Sequence, residues 1–198
     1  RRQRQMCIRD SIYCECGWAR HGLRPRFNRR EDVRRLLGEK LQEMVAAGTP
    51  PDVITFAGNG EPTMHPDFPA IIDDTIALRD AVCPSAKVSV LSNATMIGRE
   101  SVRKALMKVD NNILKLDSAF DETVRLVDNP NGRYSVAETV ENMKLFEGRL
   151  IVQTMFLRGE YGGRRVDNAT PREVDAWLEL IGQIRPRQVM IYTIDRDT

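Results

Sequence analysis

The chain has 198 residues, enough for one sizeable hydrophobic core and few for two. Apolar residues make up 41% and charged residues 29%, an ordinary balance for a soluble domain that argues against a disordered or membrane-embedded chain. A net charge of +2 leaves no global field for nucleic acid, and no apolar run approaches the ~20 residues of a membrane span or forms a signal-peptide core, so a cytoplasmic protein is expected.

The N-terminal region carries the unusual chemistry. RRQRQ at the start and ARHGLRPRFNRR at 19–30 are arginine-rich, which reads first as solvated surface and second as a patch facing phosphates or an acidic partner. Cys7, Cys14 and Cys16 stand within CIRDSIYCECGW (7–18), while Cys83 is alone. This spacing does not resemble a disulfide framework; a metal or redox site suits it better.

From residue 31 onward, helical and extended patterns alternate. NRREDVRRLLGEKLQEMVAAG has apolar residues at helical spacing, with Asn28 and Glu31 as an expected capping box and Gly48 as the stop. DVITFAG (52–58) is a short β-branched strand ending in glycines, DFPAIIDDTIALRDAV a helix, and KVSVLSN (87–93) a strand. RESVRKALMKV is helical and ILKLDS (113–118) extended. SVAETVENMKLFEG is a helix with Ser135 and Glu138 as cap and closer, and RLIVQTMF (149–156) a strand. TPREVDAWLELIGQI combines Thr170 as N-cap, Pro171 at the first helical position and Glu173 closing the box, before the last strand, RQVMIYTID (187–195). DNPNGRY (128–134) and RGEYGGRRVDN (158–168) are expected to be surface loops, the second a candidate lid. The alternation predicts a parallel α/β protein.

Period-two reasoning then separates the faces of each strand. In ILKLDS, Leu114 and Leu116 suit a helix layer, which sends Lys115 and Asp117 to the opposite side. The same side receives Thr55, Ser89, Gln153 and Thr193. A doubly wound sheet is covered by helices on both faces and has apolar strands on both. Buried charges without partners are costly, so a curved sheet or partial barrel with a polar, ligand-filled interior is the expected architecture. Its site lies at the C-terminal strand ends, where GNGEP (58–62), SN (92–93), DS (117–118), QTM (153–155) and TID (193–195) follow in order. In GNGEP, Gly58 and Gly60 allow close backbone approach and Glu61 offers a carboxylate for an ammonium group, though a tight turn would need the same residues. Cys7, Cys14, Cys16 and His21 could together hold a structural zinc ion, or three thiolates could hold an iron–sulfur cluster.

The order of cysteine cluster, GNGEP loop, SN, KLDS and QTM tips resembles the radical S-adenosylmethionine (SAM) enzymes, over about Ile12 to Thr198. Their signature is C-x3-C-x2-C with an aromatic residue before the last cysteine; the matching places here are Cys7, Ser11 and Cys14, with Tyr13 as the aromatic. GNGEP, KLDS and QTMFLRG look most similar to the Fe–S oxidoreductase branch that contains 4-demethylwyosine synthase. The resemblance implies a partial parallel (β/α) barrel in which Cys7 and Cys14 ligate a [4Fe–4S] cluster and Tyr13 sits near the adenine of SAM. Gly58, Asn59, Gly60 and Glu61 would bind its amino group, while Asn93, Lys115, Asp117 and Gln153 would line the ribose and the methionyl carboxylate. It implies an electron donor such as flavodoxin or ferredoxin, and a substrate that is an RNA, a peptide or a small molecule.

Ser11 departs from the family pattern, since a hydroxyl is a poor iron ligand beside a thiolate. RRQRQM also stands where an apolar first barrel strand is expected, so residues 1–11 are expected to be a non-native or disordered leader and 12–198 the partial barrel. Two other functions compete: a barrel aldolase with Lys115 as Schiff-base nucleophile, and a zinc-stabilised module whose 19–30 segment contacts RNA.

Overall fold

The computed structural model describes residues 11–13, 27–57, 60–130 and 132–193. Five parallel strands form its main sheet: β1 (Val53–Phe56), β2 (Lys87–Ser92), β3 (Asn111–Lys115), β4 (Ile151–Met155) and, last in the chain, β7 (Gln188–Tyr192). They lie side by side in chain order, β1-β2-β3-β4-β7. Helix α1 (Arg30–Ala46) precedes β1, and α2 (Phe68–Val82), α3 (Glu100–Leu106), α4 (Asp121–Val127), α5 (Val136–Lys144) and α6 (Pro171–Ile184) lie in the connections. Crossovers of one hand between strands laid down in sequence place their helices on one face, whereas a doubly wound sheet reverses direction midway. The order observed is the one a barrel wall uses, and β1 and β7 remain as edges among the described residues.

The core confirms the one-sided cover. Val88, Val90, Leu114, Leu116 and Val152 are buried together with Phe68 and Ile72 of α2, Val102 and Leu106 of α3, Val140 and Met143 of α5, and Trp177 and Ile184 of α6. Each large side chain buried this completely contributes roughly 1.5–3 kcal/mol of transfer free energy. Trp177 places its indole edge-on to Phe156 at 5.3 Å between ring centres. Its N–H, which could not be left dry, donates to Thr154 Oγ1 at 3.1 Å and Leu116 O at 3.2 Å. A second cluster, of Tyr13, Val127, Met155, Leu157 and Val166, closes over the tips of β3 and β4.

Local chemistry explains most of the helix ends, with two corrections. Ser135 accepts from the Glu138 N–H and Thr170 from the Glu173 N–H, as expected, and Gly48 adopts φ +73° just beyond α1. The Asn28–Glu31 box does not form: the N-cap is Arg29, with no side-chain bond, and the exposed start of α1 is held by Arg30, whose guanidinium bridges Asp74 at 2.7 and 2.9 Å. Glu173 does not close the Thr170 box either. Its carboxylate accepts from Ser118 Oγ and Thr123 Oγ1, both at 2.6 Å, tying α6 to the loop after β3 and to the first turn of α4.

The segment 158–168 is also more ordered than a surface loop. It forms an antiparallel hairpin, β5 (Arg158–Tyr161) and β6 (Arg164–Asp167), turned by Gly162 and Gly163 at φ +56° and +72°. Val166 anchors it in the second cluster. The expected polar loop at 128–134 begins with Asp128, which is fully buried at the end of α4.

Candidate functional site

Lys115 ends β3, and the strand's alternation turns it away from Leu114 and Leu116, as the sequence pattern requires. Asp117 follows on the same side, its side chain without solvent exposure, while that of Lys115 keeps 15%. The two approach to 3.5 Å, Nζ to Oδ2. Between them sits the Tyr13 hydroxyl, which accepts from Lys115 and donates to a site shared by Asp117 and, at 3.1 Å, Asp128 Oδ1. Tyr192, from the end of β7, receives a second Lys115 hydrogen bond at 3.3 Å, and the ammonium lies 4.4 Å from the centre of the Tyr13 ring. Asp117 also uses Oδ1 to accept the Met155 N–H at 2.9 Å, so one carboxylate joins β4 to the N-terminal segment.

That segment is fixed at three successive residues. Ser11 Oγ donates to Asp128 Oδ1 at 3.1 Å, the Ile12 N–H donates to Val127 O at 2.9 Å, and Tyr13 enters the network just described. Asn168 supports the same tip from behind, its amide donating to the carbonyls of Asp117 and Met155 and its oxygen accepting the Leu157 N–H. An open groove of about 670 Å³ borders Ile12, between Arg125 and Leu126 of α4 and Tyr161 and Arg164 of the hairpin.

The network sets the protonation states. Burial works against a charge on Lys115, but Asp117 and Asp128 outweigh it and raise its pKa, so the side chain is an ammonium. The Schiff-base alternative would instead need this amine without its proton. Burial, followed by the same two carboxylates, holds the Tyr13 phenol well above its ordinary range. Both groups keep their protons in the folded chain at a pH where the unfolded chain, with ordinary values of 10.0 and 10.5, releases them. The unfolded state then binds fewer protons, so stability is retained below about pH 10 and falls as pH rises beyond it. Urea titrations across that range are expected to give a falling midpoint for the native chain and a shallower fall for Tyr13→Phe; equal slopes would contradict the linkage.

A second polar centre lies at the tips of β1 and β2. Gly60 has φ +147°, a conformation open to glycine and rarely to other residues. Glu61 is buried; its Oε1 accepts from Thr63 N–H and Oγ1 and from Ser92 Oγ, and Oε2 accepts the Asn93 N–H at 2.7 Å. Burial raises its pKa despite these bonds. Asn93 turns its own Oδ1 to Thr95 N–H and Oγ1. The Glu61 carboxylate therefore meets Asn93 at its backbone N–H and not at its side chain, and Lys115, Asp117 and Tyr13 form a separate group. Gln153 pairs with Lys115 in register, is half-buried, and its amide makes no side-chain hydrogen bond to a described residue.

Cys7, Cys14, Gly58 and Asn59 lie outside the described residues, as do Cys16, His21 and all of 1–10; among the described residues no group of His, Cys, Asp and Glu is arranged to hold a metal ion. No described helix is long and apolar enough to cross a membrane. The sequence reasoning missed Asp128, Tyr192 and Asn168. Tyr192 was reachable, because period two from Met190 places it beside Gln153 and Lys115; Asp128 was hidden in a turn-rich stretch.

No protein-family model matches the chain. It is 27% identical over 191 residues to UPF0026 protein slr1464 of Synechocystis, covering 93% of this chain and 64% of that protein. It is 26% identical over 159 residues to UPF0026 protein MJ1312 of Methanocaldococcus jannaschii, covering 77% of this chain and 47% of that protein. A further match, to a protein named GTPase Obg from Brachyspira hyodysenteriae, is 24% identical over 97% of this chain but only 27% of its relative. The chain thus spans between about a quarter and two thirds of the curated relatives it matches. Among solved structures, Streptococcus suis SuiB bound to S-adenosylmethionine superposes with a TM-score of 0.67 at 12% identity, over 98% of this chain and 40% of that one. Archaeal TYW1 superposes with a TM-score of 0.53 at 15% identity, over 83% and 56%. The one-sided parallel sheet, with its strands laid down in chain order, is thus a fold that this chain shares with both solved structures.

Proposed function

We propose that this chain is the SAM-binding part of a radical SAM enzyme, with the cofactor seated over the C-terminal tips of β1 to β4 on the side away from the helix layer. The observation that carries this reading is the set of polar side chains gathered there, on a wall whose opposite side is packed with hydrocarbon. Gln153 suits a polar cofactor, since its half-buried amide has both donor and acceptor capacity to spare. Glu61 has its carboxylate engaged with Thr63, Ser92 and Asn93, so the Gly58–Glu61 loop would meet the SAM amino group through backbone atoms, with Glu61 holding the loop's shape. Asn93 and Gln153 would face the ribose and the methionyl carboxylate.

Cys7 and Cys14 would ligate the iron–sulfur cluster. The third motif position does not fit this role: the Ser11 hydroxyl is directed at Asp128 and is a weak iron ligand by its own chemistry. When bound and reduced by a flavodoxin or ferredoxin, such a cluster would supply the electron for reductive cleavage of SAM, the chemistry that yields methionine and a 5′-deoxyadenosyl radical for hydrogen abstraction from a substrate. This chain's contribution is to orient SAM and to keep water from the strand tips, where Tyr13, Met155 and Leu157 close over them. We assign the groove beside Ile12 as the approach for the RNA, peptide or small-molecule substrate.

Anaerobic reconstitution with iron and sulfide tests the reading directly. Broad visible absorbance and 5′-deoxyadenosine release from SAM are expected, and both should rise in Ser11→Cys, which restores the third thiolate at the cost of one 3.1 Å hydrogen bond. If neither protein takes up iron nor cleaves SAM, the proposed function is wrong.

A further inference from the structure

We propose that Lys115, Asp117 and Asp128 are positioning residues: acting through Tyr13, they clamp residues 11–13, the segment that leads into Cys14 in the sequence, to the strand tips. The inference rests on the radical SAM reading for its purpose, though the clamp is a property of the chain alone. It reassigns Lys115 and Asp117, which the family resemblance would place against SAM.

Three features point to it. The side chains of Lys115 and Asp117 are already engaged with each other and with Tyr13, and Asp117 has no exposed surface from which to reach a ligand. Residues 11, 12 and 13 each bond to the α4 end or the β3 tip, at sequence separations of more than 100 residues, so a short N-terminal segment is pinned by the middle of the chain. Tyr13 directly precedes Cys14, so an error in its placement passes to the thiol within one residue. Buried networks of this type fix one arrangement because a half-satisfied alternative strands a charge in low dielectric. The Ser11 hydroxyl belongs to the same clamp through Asp128, which gives it a use in the fold distinct from metal ligation.

Amide hydrogen exchange on the metal-free chain decides the matter. Tyr13→Phe keeps the ring and removes the hydroxyl, and Lys115→Met removes the cation. In both, the Ile12 amide, bonded to Val127 O, is expected to exchange about tenfold faster while the Leu114 amide in β3 is unchanged. Lys115→Arg, which keeps the charge, should restore part of the protection. Should Lys115→Met fail to fold, Tyr13→Phe carries the test alone. Ile12 exchange within twofold of the native rate, or equal acceleration at Ile12 and Leu114, would overturn the clamp. After reconstitution, Tyr13→Phe is also expected to retain less iron through gel filtration and to alter the paramagnetic resonance line shape produced by adding SAM. If the native chain takes up no iron, the proposed function fails, and the exchange result still judges the clamp by itself.

Discussion

Asp117→Leu is expected to destabilise the chain by about 3–5 kcal/mol, the range seen when one partner of a buried ion pair is removed. The carboxylate does three jobs at once. It accepts the Tyr13 hydroxyl, accepts the Met155 N–H at 2.9 Å, and faces the Lys115 ammonium at 3.5 Å. Leucine has the same branched outline with bulkier methyl groups, so none of the loss would come from a cavity and a part would come from overpacking. The rest would come from an N–H without an acceptor and a largely buried ammonium left with Asp128 alone as its counter-charge. Asp117→Asn keeps the acceptor for Met155 and loses the charge, so a smaller cost of about 1–3 kcal/mol is expected. Urea unfolding followed by circular dichroism separates the two. A leucine variant within about 1 kcal/mol of the native chain would mean that desolvation of the pair cancels its attraction, as happens in some buried ion networks.

The position of that pair was legible because period two is a rigid rule. Once Leu114 and Leu116 were given to the helix layer, Lys115 and Asp117 had to point the other way, and they do. The five strands of the main sheet were readable for a similar reason, since each is a short apolar run between helical patterns. What escaped was held by tertiary partners or was too short to show a period. The seven residues of α4 offer Val124 and Val127 as their only buried apolar positions, spaced like one turn of anything. Asp128 at its end looked like the start of a polar turn, yet Ser11 and Tyr13 bury it from a point more than 110 residues away. The hairpin at 158–167 is exposed along all of β5, so it has no alternation to read; its Gly162–Gly163 turn was the available signal. Glu173 had the spacing of a capping box, but two hydroxyl donors, Ser118 after the β3 tip and Thr123 of α4, offered it stronger partners than the helix end could.

Glu61 gives the second large effect, and one with a pH signature. Its two oxygens serve four donors, from Thr63, Ser92 and Asn93, and so tie Glu61 to the start of the 3-10 turn and to the tip of β2. Glu61→Ala strands those donors in a buried site and is expected to cost about 3 kcal/mol or more, with each unmet donor contributing of order 1 kcal/mol after partial hydration. Glu61→Gln can keep an oxygen where three donors converge, but must turn its amide N–H₂ toward the Asn93 N–H, so roughly 1–3 kcal/mol is expected for that one reversed contact. Burial raises the Glu61 pKa above its ordinary 4.5, so in the folded chain the carboxyl binds its proton more tightly than in the unfolded one. Its contribution to stability is therefore greatest below pH 4.5 and declines as pH rises through the folded value. Glutamine has no such dependence. The penalty of Glu61→Gln should thus shrink between about pH 4 and about pH 7, because the native chain loses stability at this site while the variant does not. A penalty that grows over the same interval would mean that the four hydrogen bonds outweigh burial and hold Glu61 below its ordinary range. Glu61 would then be a buried carboxylate held ionised by its donors, and its ties to Ser92 and Asn93 would be stronger at neutral pH than in acid.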